Sequence, residues 1–269
     1  MNNVKNMTMV EYAQEIADAV GGVVKEIKKN NGVTKLGVTV ENAESGISPI
    51  LYVDNFYENK APVEDAVKEF DKVMNSVNVT SKDFDWVNNW EAVKDKLGFR
   101  LVHKRNVFPV YTSARARGFA DLIMVPYIRM SVNNNVGTTV VTEAMLNSWG
   151  VTKRKVMDTA IGNTSCRVRK SSEVLSEMTG QPEEFFPSPF VVVTTEDQIY
   201  GAAAIIKAKE KLNELFPDGY YVIPSSVHEV LVLPKDIGKD TAKINALIDE
   251  VNTTQLDSTD VLSNRVYEF

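Results

Sequence analysis

"YYVIPSSVHEVLVLP", Tyr220 to Pro234, is the stretch whose reading decides the fold. Two runs rich in Tyr, Val, Ile and Leu flank "PSS", a cluster of turn-forming residues, so the stretch predicts a β-hairpin. Strand side chains alternate between faces. A second strand over Val227–Leu233 then sets Val227, Glu229, Leu231 and Leu233 on one face and His228, Val230 and Val232 on the other. His228 and Glu229 would diverge, which prevents an acid–histidine pair between them. Serine hydroxyls in such a turn bond the neighbouring backbone. No "GxSxG" elbow surrounds Ser225 or Ser226, and "HEVLV" lacks the second histidine of "HExxH". Ser225, Ser226 and His228 are the catalytic candidates of an alternative, hydrolase-like reading; the primary reading assigns no catalytic residue.

The same logic extends to the flanks. Before the hairpin, "IYGAAAIIKAKEKLNELF" reads as a helix stopped by "PDG", and "VVVTT" as a buried strand. After it come a helix from Thr241 to about Asn252 and a short strand, "NRVYEF". The N-terminal third has a related order. Thr8 caps an amphipathic helix to Val20, with Glu11 completing a capping box. Gly21-Gly22 ends that helix, and Asn31-Gly32 marks a second hairpin, because a type I′ turn needs positive φ at both central residues. A loop at Glu44–Gly46 leads to a strand, "ISPILYVD", and then a helix from Pro62 to Met74. The stripe Trp86, Trp90, Val93 and Leu97 predicts one helix over Ser81–Leu97, capped by Gly98. Strands "FRLVH" and "FADLIMVPYIRMS" follow, with Pro126 marking an edge or bulge, and then three short helices within 142–178. Strands grouped between helices argue for an α+β fold. It would have two mixed, mainly antiparallel sheets or lobes, each with a helix–hairpin–helix unit. We expect interdependent lobes at 1–105 and 106–269, with the boundary near 105–118.

Net charge is −6, unevenly spread. From Gly98 to Lys170, twelve Lys or Arg face three acids, Asp121, Glu143 and Asp158; this local balance of +9 leaves −15 for the remainder. Extended backbone would place Arg115 and Arg117 of "SARARG" on one face, with Gly118 allowing close approach. Lys153, Arg154 and Lys155 open a helix, and Arg167 and Arg169 alternate. Such cations suit an anionic partner. Nearby aromatic residues, Phe108, Tyr111 and Phe119, are sparse for base stacking. Two histidines, His103 and His228, and the lone Cys166 argue against a transition-metal site. Cys166 lies beside Arg167, Arg169 and Lys170, which would favour a thiolate, yet no base accompanies it. No phosphate-loop or dinucleotide fingerprint occurs, so no cofactor is expected. No apolar run reaches the ~18 residues that span a bilayer, the N-terminus resembles no targeting peptide, and one cysteine fits the cytoplasm.

The segments "KNNGV…LGVTV", "SPILYVDNFYE", "FADLIMVPY", "LNSWGVT…VMDTAIGNT", "YYVIPSSVHEVLVLP" and "LSNRVYEF" together resemble a domain-of-unknown-function family of anaerobic Gram-positive bacteria. The resemblance spans nearly the whole chain and implies a bacterial cytoplasmic protein. It implies no activity, cofactor or catalytic residue. The expectation is therefore a non-enzymatic binding protein. Its basic surface (Arg115, Arg117, Lys153, Arg154, Lys155, Arg167 and Arg169) would engage an acidic protein surface or nucleic acid, with no membrane partner. A hydrolase near Ser226 and His228, and a scaffold or oligomer subunit, are the alternatives.

Overall fold

Thr8 begins the first helix as its sequence dictates: its hydroxyl accepts the Glu11 amide while the Glu11 carboxylate accepts the Thr8 amide, a closed capping box. This chain's computed structural model describes residues 7–40, 49–76, 81–107, 110–132, 135–237 and 240–269. The loop expected at Glu44–Gly46 and the side chain of Phe108 lie outside them. Two compact units emerge, Met1–Val87 with Met130–Gly137, and Asn88–Arg129 with Thr138–Phe269.

The first unit carries α1 (Met9–Val20), β1 (Val23–Lys28), β2 (Thr34–Thr39), β3 (Leu51–Tyr52), α2 (Asp54–Glu58) and α3 (Val63–Ser76). β1 and β2 pair antiparallel from Val23↔Thr39 to Lys28↔Thr34, and β3 adds to β2. Asn31 and Gly32 both adopt positive φ, 60° and 76°, as the sequence requires. The link is longer than a two-residue turn, because the Lys29 amide bonds the Val33 carbonyl at 2.8 Å. Tyr12, Ile16, Val38, Val53 and Phe70 form this unit's core.

The segment in which the second unit begins, at Asn88, brings a correction. Ser81–Leu97 is not one helix: a 3₁₀ segment, Ser81–Asn88, gives way to α4 (Trp90–Val93) and another 3₁₀ turn, Lys94–Lys96. Asn89 causes the break by capping α4 with its side-chain oxygen, which accepts the Glu91 and Ala92 amides. Leu97 and Gly98 then open β4 (Leu97–His103). β4 pairs along β6 (Leu122–Val132), which is flanked on its other side by β5 (Ala114–Arg115) and also pairs with β7 (Asn135–Val140). Pro126 therefore sits in a central strand, opposite Phe99. Its carbonyl accepts the Val141 amide, away from β4, and an N–H on the same residue would point the same way; the β4 ladder loses no bond.

Then follow α5 (Glu143–Trp149), α6 (Lys153–Asn163), β8 (Arg167–Lys170), α7 (Ser171–Thr179), β9 (Val191–Thr194), α8 (Ile205–Leu215), β10 (Tyr220–Ile223), β11 (Val230–Pro234), α9 (Thr241–Thr254) and β12 (Tyr267–Glu268). The order β12-β10-β11-β9-β8 makes an antiparallel sheet centred on the hairpin. That hairpin has the register Tyr220↔Pro234 to Ile223↔Leu231. Its second strand starts at Val230 rather than Val227, so the alternation expected for His228 and Glu229 does not apply. The intervening amides are spent elsewhere: Ser226 N bonds the Glu229 carbonyl, Val227 N the Asp260 carbonyl, and His228 N the Ser226 hydroxyl. Among the described residues three mainly antiparallel sheets, with helices between groups of strands, make the fold α+β.

Candidate functional site

Arg115 ends β5 and Arg117 stands in the turn that the Phe119 amide closes on the Ala116 carbonyl; both arginines are exposed, Ala116 between them is 3% exposed, and the expected extended backbone stops at Arg115. Arg115 itself is fixed by its pairing with Ile123. Gly118 then turns the chain at φ +89°, and a Cβ there would collide with the Phe269 ring. Glycine is needed for both reasons. Phe119 follows, 7% exposed, edge-on to Tyr267 at 4.8 Å and tilted against Phe269 at 5.3 Å.

Two concavities open beside this turn. One, about 760 Å³, is lined by Lys104, Leu122, Ile123 and the whole run from Arg115 to Ala120. The other, about 590 Å³, shares Arg115, Arg117, Gly118 and Phe119. Its walls come from α6, through Asp158 and Ile161, and from α8, through Ile205, Ile206 and Lys209; Met124, Tyr220, Val222 and Phe269 complete it. Among the described residues neither arginine has a carboxylate within ion-pair reach. The acid nearest them in sequence, Asp121, is occupied: it accepts bonds from the Tyr267 hydroxyl at 2.5 Å and the Ser263 hydroxyl at 3.0 Å. His103 Nε2 lies 3.4 Å from the same carboxylate, while its Nδ1 accepts the Arg105 amide. Burial, then Arg105, hold the His103 pKa below its ordinary value against the pull of Asp121. Burial, then the Asp121 bond, push the Tyr267 hydroxyl well above its own.

The other basic candidates are placed differently. Lys153, Arg154 and Lys155 are exposed on the first turn of α6, which Thr152 caps by accepting the Lys155 amide. Arg154 lies 3.6 Å from Asp158 one turn later, so it offsets the acid that lines the cleft. Arg167 and Arg169 line a separate groove of about 370 Å³ that also holds Glu177 and Glu229. Arg169 is bound by Glu177 at 2.5 Å and lies 3.6 Å from Glu173. Cys166 donates to the Ala204 carbonyl at 3.5 Å; burial raises its pKa, and the cations that oppose this are Lys207 and Lys211, not its sequence neighbours.

The serine–histidine segment is built as a turn. The Ser226 hydroxyl, in a residue 8% exposed, accepts the His228 amide at 3.0 Å. The Ser225 amide bonds back to Ile223. His228 Nδ1 faces the Gln198 carbonyl at 3.1 Å, its ring stacks on Tyr200, and Nε2 lies 3.9 Å from Asp260. The hairpin reading thus describes where these polar groups go.

A family model described as a family of unknown function, DUF5688, matches residues 2–269. The chain belongs to that family. No curated protein and no solved structure matches it. Membership in DUF5688 gives the chain a kinship and leaves the reading of its site to geometry. Among the described residues no helix is long and apolar enough to cross a membrane, and no three His, Cys, Asp or Glu side chains form a group able to hold a metal ion.

Two features of the site escape a sequence reading. Lys209 joins the arginines from α8, where no local pattern marks it; Lys104, which the basic run "RLVHKR" does mark, joins them from β4's end. A second cluster surrounds Tyr200, held at φ 49° and ψ 36°. Its ring packs under the Arg100 guanidinium and edge-on to Tyr127, and its hydroxyl accepts from Arg100 at 3.2 Å. The sequence reads this residue as helix. The only local cue is Asp197, whose carboxylate accepts both the Thr195 hydroxyl and the Ile199 amide.

Proposed function

We propose that this protein is a non-enzymatic binding protein of the bacterial cytoplasm, and that its partner is an acidic protein engaged at the face around Arg115 and Arg117. One observation carries the reading: both arginines line two adjoining concavities with Lys104 and Lys209, against the single acid Asp158. Cations left in water beside a cleft raise the local concentration of an anionic partner and speed its encounter. The contrast with Arg169, already satisfied by its own carboxylates, narrows the expected surface to Arg115, Arg117, Lys104, Lys209 and the first turn of α6. A lone cysteine, half-buried, is in keeping with a reducing compartment.

Calorimetric titration of the full chain with polyglutamate and with oligodeoxythymidylate, at low and moderate salt, tests the reading. Expected are binding of polyglutamate that weakens with salt, and its loss in Arg115→Ala/Arg117→Ala. Equal binding by that variant removes the assignment. Stronger binding of the oligonucleotide would move the partner class to nucleic acid.

A further inference from the structure

The cleft between α6 and α8 has a second property besides charge. Apart from Arg115, Arg117, Lys209 and Asp158 its lining is mostly apolar and includes half-buried Ile161 from α6, half-buried Ile206 from α8, and Phe269. Its volume, about 590 Å³, falls in the usual range for sites that enclose an organic group. Three of its rings are already committed to aromatic neighbours. Phe119 packs against Tyr267 and Phe269, while Tyr220 stacks on Phe269 at 5.5 Å with planes 11° apart. Phe119 and Tyr220 are also buried, so neither offers the open ring face on which a nucleobase stacks. What the cleft offers instead is a mostly apolar lining beside three exposed cations, Arg115, Arg117 and Lys209. Its one acid, Asp158, has Arg154 3.6 Å away.

The geometry points to a specific occupant: an acidic peptide segment of a partner protein that lowers one large apolar side chain, Leu, Ile or Phe, into this cleft. Its flanking carboxylates meet Arg115, Arg117 and Lys209. This inference rests on the acidic-partner reading above and adds what that partner must carry. The division of labour follows from solvation. Rim charges stay partly hydrated, so they steer and orient, whereas an apolar group removed from water at the centre supplies most of the free energy.

Isothermal titration calorimetry with the full chain at low salt decides it. The probes are the peptide Glu-Asp-Glu-Phe-Asp-Glu-Asp, the same peptide with Ser in place of Phe, and an oligodeoxythymidylate of matched charge. Burial of the phenylalanine predicts at least about tenfold tighter binding of the first peptide than of the second. In Ile206→Gln, which leaves every charge in place, the two peptides should bind alike; Ile161→Gln serves if that variant fails to fold. Equal affinities for the Phe and Ser peptides on the wild-type chain would overturn the anchor and leave the acidic-partner reading standing. Tighter binding of the oligonucleotide than of either peptide overturns the anchor and the protein partner together. So does the failure of both peptides to bind.

Discussion

Arg115-Ala116-Arg117 and Arg167-Val168-Arg169 are the same pattern in sequence and opposites in structure. Arg167 and Arg169 alternate on β8, whereas Arg115 ends β5 and Arg117 stands in the turn after it. Arg115 and Arg117 face water beside a cleft, and the acid close to them in sequence is turned away into bonds with Tyr267 and Ser263. Arg169 instead meets α7, whose Glu173 and Glu177 stand one helical turn apart and both reach the guanidinium. The difference is not in the arginines. It lies in which carboxylates the fold brings to them and which it withholds.

The sharpest way to break this comparison is to reverse both pairs. Arg115→Glu/Arg117→Glu should weaken binding of an acidic peptide by at least about a hundredfold at low salt, because like charges would then face each other. Arg167→Glu/Arg169→Glu should leave that affinity near wild type, since those side chains are absent from both concavities beside Arg117. Matching losses in the two variants would end the distinction.

Asp121 supplies the next test. Asp121→Ala strands the Tyr267 and Ser263 hydroxyls and should cost about 2–3 kcal/mol in urea denaturation, as expected for hydrogen bonds to a charged acceptor. A loss below half of that would mean Asp121 is not committed inward, leaving the exposure of the arginines without its explanation.

A smaller effect concerns pH. The folded pKa of His103 is lowered, chiefly by burial and then by Arg105, so the unfolded chain binds more protons near the ordinary value. Its contribution to stability is full above about pH 6.5 and is lost as pH falls through the depressed folded value. His103→Gln should therefore flatten the slope of unfolding free energy between neutral and mildly acidic pH, measured by denaturation at a series of pH values. An unchanged slope would rule His103 out as its source. Smallest of all, Glu177→Gln should barely move the unfolding midpoint, because the pair it breaks is exposed. A large drop would give the paired arginine a structural weight its setting does not predict.

How much of this was readable in advance varies with the range of the forces involved. The capping box at Thr8 and the positive φ of Asn31 and Gly32 depend on atoms within a few residues, and both were legible. The single helix expected over Ser81–Leu97 failed because its apolar spacing was right while Asn89 offered α4 a competing cap. The strand expected from Val227 began at Val230 because Asp260, distant in sequence, took the Val227 amide. At the site, both arginines were named from sequence, whereas Lys209 and the apolar walls of Ile161 and Ile206 carry no local mark.

By itself, then, the sequence determined the α+β class, the two hairpins and the turn role of "PSS". Local sterics and short-range hydrogen bonds suffice to set these. Only the tertiary structure decided which cations are left to solvent, and that they border a cleft whose other lining is mostly apolar. Ion pairs and cavities form between side chains far apart in the chain, and a carboxylate must come within about 4 Å to claim an arginine. Glu173 and Glu177 claim Arg169; Asp121, drawn inward, leaves Arg115 and Arg117 to solvent.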